Sequence, residues 1–319
     1  LGGFAASGGP QSGGAAQPLE QASLADVAPQ GKRTDLFALY RIIGTGATAF
    51  GALSAGLPVL FRDGLGISEI DSFKIMFGGY AVLVAMSAIL YSRLSANVEV
   101  DATQQSWTNP LTLPSRRLIF TLVGLFGVDQ FGGALLVQSL IAYWFNTKFG
   151  LDLGSLALVF FASQALSATS LWVAAKLANR IGLINTMVFT HIPSSLFLIG
   201  AIFSPYAWLA IGLWQLRAFF GQMDVPTRDS YTMSIVGPEE RVVMASMMGA
   251  GRSIFGVAGP SLATLLWTVV AASAPFVAGA ALKISYDLML FYMFRKVKPP
   301  EEVAKALGGK GKETVPPAG

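Results

Sequence analysis

Residues 183–203, LINTMVFTHIPSSLFLIGAIF, decide the fold class of this protein. The stretch contains no Asp, Glu, Lys or Arg, and it is bounded by short polar segments. A hydrocarbon core about 30 Å thick is crossed by about 20 mainly apolar residues in a helix. We therefore predict that this stretch crosses a membrane as an α-helix.

Seven other runs meet or approach the same length. They lack the period-two alternation over about ten residues that a transmembrane barrel strand needs. The sequence therefore predicts an all-α fold, an integral membrane helix bundle of about eight transmembrane helices. We place the spans at Leu36–Leu60, Ser72–Tyr91, Leu118–Trp144, Leu153–Val173, Leu183–Phe203, Tyr206–Met223, Val242–Trp267 and Ala274–Phe294.

Composition excludes several classes of function. Only 13% of the 319 residues are charged, against about 25% in soluble domains. The chain has no cysteine and one histidine, so thiol nucleophiles and ordinary zinc sites are excluded and we expect no metal, no cofactor and no enzyme. The basic residues lie in loops rather than on one face, so we expect the lipid bilayer, and not nucleic acid, as a partner.

The basic residues near the helix ends predict the orientation. Cytoplasmic loops of membrane proteins carry an excess of Lys and Arg. Twelve basic residues lie on one side and two, Arg62 and Lys148, on the other. We therefore expect a multi-pass protein of a plasma or inner membrane, rather than an organellar one, with both termini in the cytoplasm. The twelve are Lys32, Arg33, Arg93, Arg116, Arg117, Lys176, Arg180, Arg228, Arg241, Arg295, Lys296 and Lys298.

A long polar connection divides the chain into two helices followed by six. It contains Asn109-Pro110 and Leu113-Pro114, which block a continuous helix. Residues 20–29 also align weakly with residues 229–238, which indicates an internal repeat. The predicted divisions are a low-complexity N-terminal segment with a cytoplasmic loop (1–34), two transmembrane helices (35–92), a cytoplasmic inter-half loop (93–117), a six-helix half (118–295) and a cytoplasmic tail (296–319).

Three short motifs occur in order along the second part. Residues 175–182, AKLANRIG, follow the fourth predicted span, residues 217–221, RAFFG, lie in the sixth, and residues 238–241, PEER, precede the seventh. They resemble the G-x-L-a-D-R-x-G loop, the intramembrane R-x-x-x-G motif and the P-x-x-R turn of the major facilitator superfamily. Ala175 and Asn179 depart from the first pattern. In the family the charges of this loop contact neighbouring helix ends, and the neutral Asn179 should weaken those contacts here.

The resemblance implies that these helices correspond to the fifth to twelfth of a twelve-helix transporter, so that the chain is a fragment of a longer protein. Such transporters contain two halves and bind solute near the midplane. We expect conformational change to involve the loop at residues 175–182 and certain glycine and proline positions within the spans. These residues are Lys176, Asn179, Arg180, Gly182, Gly221, Gly259 and Pro260. The seventh span should kink at Gly259-Pro260.

Few charges lie inside the predicted spans. Asp129 is about eleven residues into its span, or about 16 Å deep at 1.5 Å per residue, and Arg217 and Arg252 lie at comparable depths. An unpaired charge there costs at least about 2.5–3.5 kcal/mol. We predict that the three residues, with Gln130 and Gln138, line a solute and coupling-ion pathway. The alternative is a fixed ion pair that only ties helices together.

Three other polar residues within the spans receive structural interpretations. Lys283 and Asp287 are four residues apart on one helix face, so we predict a structural ion pair between them. Arg41 can extend towards the lipid head groups. A lone histidine such as His191 is more often a packed, hydrogen-bonded residue than a proton carrier.

Together these features favour a secondary active transporter of a small organic solute that works by alternating access and is coupled to protons. The alternative is a non-transporting membrane scaffold or receptor-like relic of the same fold. The upstream coding sequence distinguishes them, because four further hydrophobic runs would support transport. A channel is disfavoured since nothing resembles a filter loop, and no nucleophile–base or metal set supports an enzyme.

The predicted orientation can be tested by cysteine labelling, because the native chain has no cysteine. Single cysteines at Gly66 and Gly150 should react with an impermeant thiol reagent added outside, whereas a cysteine at Asn179 should not. The reverse pattern would contradict the orientation.

Overall fold

The structure, a computed structural model, describes residues 33–54, 56–93, 109–297 and 299. Every regular element within these ranges is a helix, which confirms the predicted all-α membrane fold. Most of the N-terminal segment 1–34, residues 20–29 of the repeat, most of the inter-half loop and nearly all of the tail 296–319 lie outside the described residues.

The helices follow one another with short connections. Two single 3₁₀ turns, Pro110–Thr112 and Pro238–Glu240, precede longer helices. The α-helices are α1 (Arg33–Ser54), α2 (Leu57–Leu65), α3 (Glu69–Ser92), α4 (Arg116–Ala134), α5 (Gln138–Phe149), α6 (Leu153–Ile181), α7 (Leu183–Phe203), α8 (Ala207–Phe220), α9 (Asp224–Ser234), α10 (Arg241–Val257), α11 (Gly259–Val269) and α12 (Ala274–Phe294).

Six helical segments in the described ranges are long and apolar enough to cross a membrane. They overlap six of the eight predicted spans. Of the other two predicted spans, Leu36–Leu60 is interrupted between α1 and α2. The span Tyr206–Met223 contains α8, which ends at Phe220 and is followed by a turn. The six segments are Glu69–Leu90, Arg116–Phe149, Gly154–Ile181, Leu183–Phe203, Pro238–Val269 and Ala274–Phe294.

Two of these six segments contain a break in the helix. The segment Arg116–Phe149 is interrupted between α4 and α5, and Pro238–Val269 is interrupted at Ala258 between α10 and α11. Pro260 has no backbone N–H, so it begins a helix more readily than it continues one. A Cβ at Gly259 would lie 2.8 Å from the carbonyl carbon of Ala134, so the two breaks face each other.

The helices pack into a bundle in which α12 contacts both α4 and α7, and α10 contacts α4. On the other side, α1 contacts α6 and α9, while α8 contacts α6 and α7. Buried aromatic and aliphatic side chains form one cluster around Phe126 and Tyr286 and another around Trp144 and Phe276. This packing brings α4, α7, α9 and α12 together in the interior.

The polar segment DVPTRDSYTMS, residues 224–234, corrects the sequence interpretation. We predicted a loop after Met223, yet the residues form α9 and all but the last are buried. Arg228, counted above as a cytoplasmic loop residue, is only 2% exposed. The polar composition of this segment indicated an exposed loop. The segment is nevertheless buried, because the polar side chains of α9 bond to one another and to neighbouring helices. Without Arg228 the charge asymmetry is eleven to two, so the predicted orientation is unchanged.

The structure also refines the labelling experiment. Gly66 and Gly150 have φ angles of +64° and +70° at helix C-termini, a region in which a cysteine would be strained. Asp63 and Thr147 are exposed helical residues near these two ends. Cysteines at Asp63 and Thr147 therefore report the same side of the membrane without distorting the backbone.

The backbones of α4 and α12 approach each other at a pair of glycines. A Cβ on Gly279 would lie 2.7 Å from the carbonyl oxygen of Gly132, and a Cβ on Gly132 would lie 3.0 Å from that of Gly279. Small residues at such crossings let membrane helices approach closely. Asp129 and Lys283 lie one helical turn away on the same two helices, so this crossing sets the distance between them.

Replacing Gly279 with Val should force α4 and α12 apart. We expect a loss of about 1–3 kcal/mol in the free energy of unfolding, as is typical of overpacking. Thermal unfolding of the purified protein in detergent measures the change. Gly124→Ala is the matched control on α4, because a Cβ there meets nothing within 4 Å. Equal stability of the two variants would contradict the close crossing.

Candidate functional site

Asp129 lies at the centre of a buried group of charges. Lys283 Nζ on α12 donates a hydrogen bond of 2.6 Å to its Oδ1. Arg228 Nη1 on α9 donates one of 3.1 Å to its Oδ2. Each carboxylate oxygen therefore has a cation, and the two cations come from different helices.

His191 on α7 lies between two carboxylates. Its Nδ1 is 3.0 Å from both carboxylate oxygens of Asp287. Its Nε2 is 3.4 Å from Lys283 Nζ and 3.8 Å from Asp129 Oδ1. The imidazole thus connects the two acidic residues and contacts the ammonium group that Asp129 also holds.

Arg228 joins Asp129 to a third carboxylate. Its Nη1 is 3.1 Å from Asp224 Oδ2, one turn earlier on α9. Its guanidinium carbon lies 5.4 Å from the ring centroid of Phe126, within range of a cation–π interaction. These contacts compensate the buried charge of the arginine.

These residues form what we call the Asp129 cluster: Asp129, His191, Asp224, Arg228, Lys283 and Asp287. They come from α4, α7, α9 and α12. The cluster holds three carboxylates and two permanent cations, so its net charge is −1 when the histidine is neutral. Tyr286 lies beside it on α12, with a buried hydroxyl that has no hydrogen-bond partner within the described part of the chain.

A second buried ion pair ties α1 to α9. Arg41 Nη2 lies 2.7 Å and its Nε 3.1 Å from Asp229 Oδ2. Thr34 Oγ1 donates a 2.8 Å hydrogen bond to Ser230 Oγ near the same place. The earlier interpretation of Arg41 as extending towards head groups is therefore wrong, because its side chain is 3% exposed and paired with a carboxylate.

The predicted grouping of Asp129 with Arg217 and Arg252 is formed only in part. Arg252 on α10 lies within electrostatic range of both Asp129 and Asp229. The Arg217 guanidinium instead lies over the Trp214 ring, 4.5 Å from its centroid, and the Arg217 carbonyl accepts a hydrogen bond from Ser194. Arg228 and Lys283, which were not in the predicted group, each donate a hydrogen bond to Asp129.

The ion pair predicted within α12 is also corrected. Lys283 and Asp287 share a helix face, but Lys283 bonds Asp129 and Asp287 bonds His191. Neighbouring helices supply closer partners than the next turn of α12 does. A spacing of four residues shows that two groups can meet, but it cannot show that they prefer each other.

The two glutamines lie near the helix breaks. Gln130 is half-buried on α4, and its amide nitrogen lies 3.6 Å from the position of a Cβ on Gly256. Gln138 begins α5 and is also half-buried. Their role in binding a solute remains a prediction.

The predicted conformational positions lie at helix ends. Lys176 is exposed, with its ammonium 3.3 Å from the centroid of the Trp172 ring. Asn179 and Arg180 are exposed near the end of α6, and Gly182, with φ +89°, ends that helix. Gly221 ends α8, where a Cβ would lie 2.7 Å from Ser194 Oγ.

Sequence reasoning missed Asp224 and Arg228 and gave His191 only a packing role. Asp224 and Arg228 are spaced four apart directly after an apolar span, which is the spacing of an intrahelical pair. This spacing could have predicted the pair from the sequence. Nothing in the sequence indicated the position of His191, because its contacts come from α4 and α12, which are far from it in the chain.

The Arg41–Asp229 pair gives a test of the buried network. Arg41→Gln should leave Asp229 buried without its strongest partner and lower the free energy of unfolding by about 3–5 kcal/mol. Adding Asp229→Asn should restore much of the loss. Thermal unfolding measures both effects. Arg62→Gln is the control, since the exposed Arg62–Glu69 pair should contribute less than about 1 kcal/mol. Additive losses in the double variant would contradict direct pairing.

Comparison with known proteins agrees with this architecture. The family model of the Major Facilitator Superfamily matches residues 130–318, which include every member of the Asp129 cluster except Asp129 itself. The chain is also 25% identical over 313 residues to the uncharacterized membrane protein YJR124C of Saccharomyces cerevisiae, an alignment that covers 86% of this chain and 69% of the yeast protein. The chain thus belongs to the major facilitator superfamily of membrane transporters.

Proposed function

We propose that this protein is a secondary active transporter of a small organic solute that works by alternating access and couples solute movement to a proton. The observation that carries the proposal is the Asp129 cluster, in which three membrane helices and the short polar helix α9 place ionisable groups in one buried region. Each charge inside a membrane is expensive to bury. A single ion pair would be enough to join two helices, so a cluster of six favours a role in moving ions.

Asp129 is the coupling carboxylate in this proposal. Its two oxygens hold Lys283 and Arg228. A proton on Asp129 would cancel its charge, so neither cation would keep its full attraction to α4. Protonation would therefore loosen α4 from α9 and α12 together. A solute that binds preferentially to the loosened arrangement would be coupled to the proton.

The second ion pair supports the alternating-access part of the proposal. Arg41 belongs to α1, which precedes the long polar connection, and Asp229 belongs to α9, which follows it. Access from one side requires that contacts between such groups of helices open on that side. Because Arg228 and Asp229 are neighbours, a movement of α9 changes the contact with Asp129 and the contact with Arg41 at once.

The polar groups around the breaks suggest where the solute binds. Gln130 lies beside the α10 glycine Gly256, and Arg252 lies one turn earlier on α10. Amide and guanidinium groups can bond to carbonyl, hydroxyl or carboxylate oxygens of a solute. We therefore expect a polar organic solute rather than an apolar one.

Asp129→Asn tests the coupling. We expect it to reduce pH-gradient-driven accumulation to less than about a tenth of that of the native protein, because the amide cannot take up the coupled proton. Solute exchange at equal pH should continue, since exchange needs no change of protonation. Proteoliposomes with an imposed pH gradient and radiolabelled glucose, lactate, glutamate and uridine provide the measurement.

Asp152→Asn is the matched control. Asp152 is an exposed N-cap of α6, and asparagine caps a helix about as well as aspartate. It should accumulate solute normally. Normal accumulation by Asp129→Asn would show that coupling lies elsewhere. If Asp129→Asn fails to fold but folds again with Arg228→Gln, the cluster is structural and the proposal is wrong.

A further inference from the structure

His191 is the only histidine in the chain, and it is 3% exposed inside the bundle. Its Nδ1 lies 3.0 Å from both oxygens of Asp287. With Asp287 ionised, its carboxylate can only accept hydrogen bonds, and the geometry then assigns the ring proton to Nδ1. Asp287 therefore holds the ring in one tautomer and one orientation. A hydrogen bond from one ring nitrogen to a carboxylate has the same effect on histidines in active sites.

The other ring nitrogen faces a different pair of groups. Nε2 is 3.4 Å from Lys283 Nζ, and an ammonium group can only donate a hydrogen bond. Nε2 must then accept, so the imidazole is neutral in this arrangement. Asp129 Oδ1 lies 3.8 Å from the same nitrogen, slightly beyond hydrogen-bond distance. Lys283 thus occupies the place that a proton on Nε2 would need.

The charges around the ring favour a proton there. Among its six residues the Asp129 cluster carries one more carboxylate than permanent cation, and a proton on Nε2 would balance these six; Arg252, which lies within electrostatic range on α10, is outside this count. Asp129 already binds two cations, whereas the only cluster contact of Asp287 is His191. Within the described residues, Asp224 on α9 also interacts electrostatically with the ring, and Tyr286 on α12 has its ring centroid 6.1 Å away.

We propose that His191 is a second proton-binding group beside Asp129 and takes up its own proton in exchange for the contact with Lys283; this inference rests on the proposed function. When Lys283 Nζ leaves Nε2 and stays on Asp129, the Nε2 lone pair takes a proton from a hydronium ion in the open cavity and leaves water. The imidazolium then lies between Asp287 and Asp129. When the cavity opens to the other side, Nε2 returns the proton to water and Lys283 bonds to it again.

The single histidine makes the proton directly visible. Protein labelled with ¹⁵N-histidine and placed in lipid nanodiscs should give one pair of ring nitrogen signals. Between about pH 8 and pH 5, the window in which histidines change charge, Nε2 should change from unprotonated to protonated. Nδ1 should stay protonated throughout. No transported solute is needed, so the measurement is independent of uptake.

Variants of the facing charges should shift the midpoint of this titration in opposite directions. Lys283→Gln removes a cation beside Nε2 and should move the midpoint up by about one pH unit or more, whereas Asp129→Asn removes an anion and should move it down by a similar amount. The controls Lys148→Gln and Asp152→Asn make the same chemical changes outside the cluster and should leave the midpoint in place.

The outcomes separate this inference from the proposed function. If Nε2 keeps one protonation state across the window, or both cluster variants shift the midpoint in the same direction, the proposed proton uptake by His191 is wrong. The proposed function would still stand if Asp129→Asn lost gradient-driven accumulation. Conversely, opposite shifts together with normal accumulation by Asp129→Asn would support proton binding by His191 and contradict coupling through Asp129.

Discussion

The Asp129 carboxylate, bound at once by Lys283 and Arg228, is the interaction on which the interior of this bundle depends. These charged groups are largely buried in the structure, so each finds most of its stabilisation in another side chain. Lys283 ties α12 to α4, and Arg228 ties α9 to α4. Removing one member leaves an uncompensated charge, which is why such pairs act as a unit.

Helix α9 transmits this constraint to the rest of the molecule. It is short and polar, and its neighbouring residues Arg228 and Asp229 face two different partners. One partner, Asp129, belongs to α4, and the other, Arg41, belongs to α1. A rigid displacement of α9 therefore changes both contacts together. In the proposed mechanism, a change of charge at Asp129 would thereby reach the contact between α1 and α9.

Close backbone contacts fix the geometry in which the charges meet. The Gly132–Gly279 crossing brings α4 and α12 near enough for Lys283 to reach Asp129. At another level Gly259 lies against Ala134, where the breaks of two spans face each other. Interrupted helices of this kind are where transporters bend and where backbone groups become available to a ligand.

The sequence alone determined the class of structure. The length of the apolar runs and the scarcity of charge require membrane helices, and Gly259 with Pro260 predicts the break between α10 and α11. The depth of Asp129 in its span also indicated that it needs a cation. These inferences succeed because each depends on properties of one continuous segment in lipid.

Only the tertiary structure decided which groups pair. The i, i+4 spacing suggested Lys283 with Asp287, yet the rotation of α12 turns them towards Asp129 and His191. Hydropathy did not predict that α9 is a buried helix, because polar groups that bond to one another can be buried without an apolar pattern. Pairing depends on the register and rotation of helices far apart in the chain, and those are set by contacts that no single segment contains.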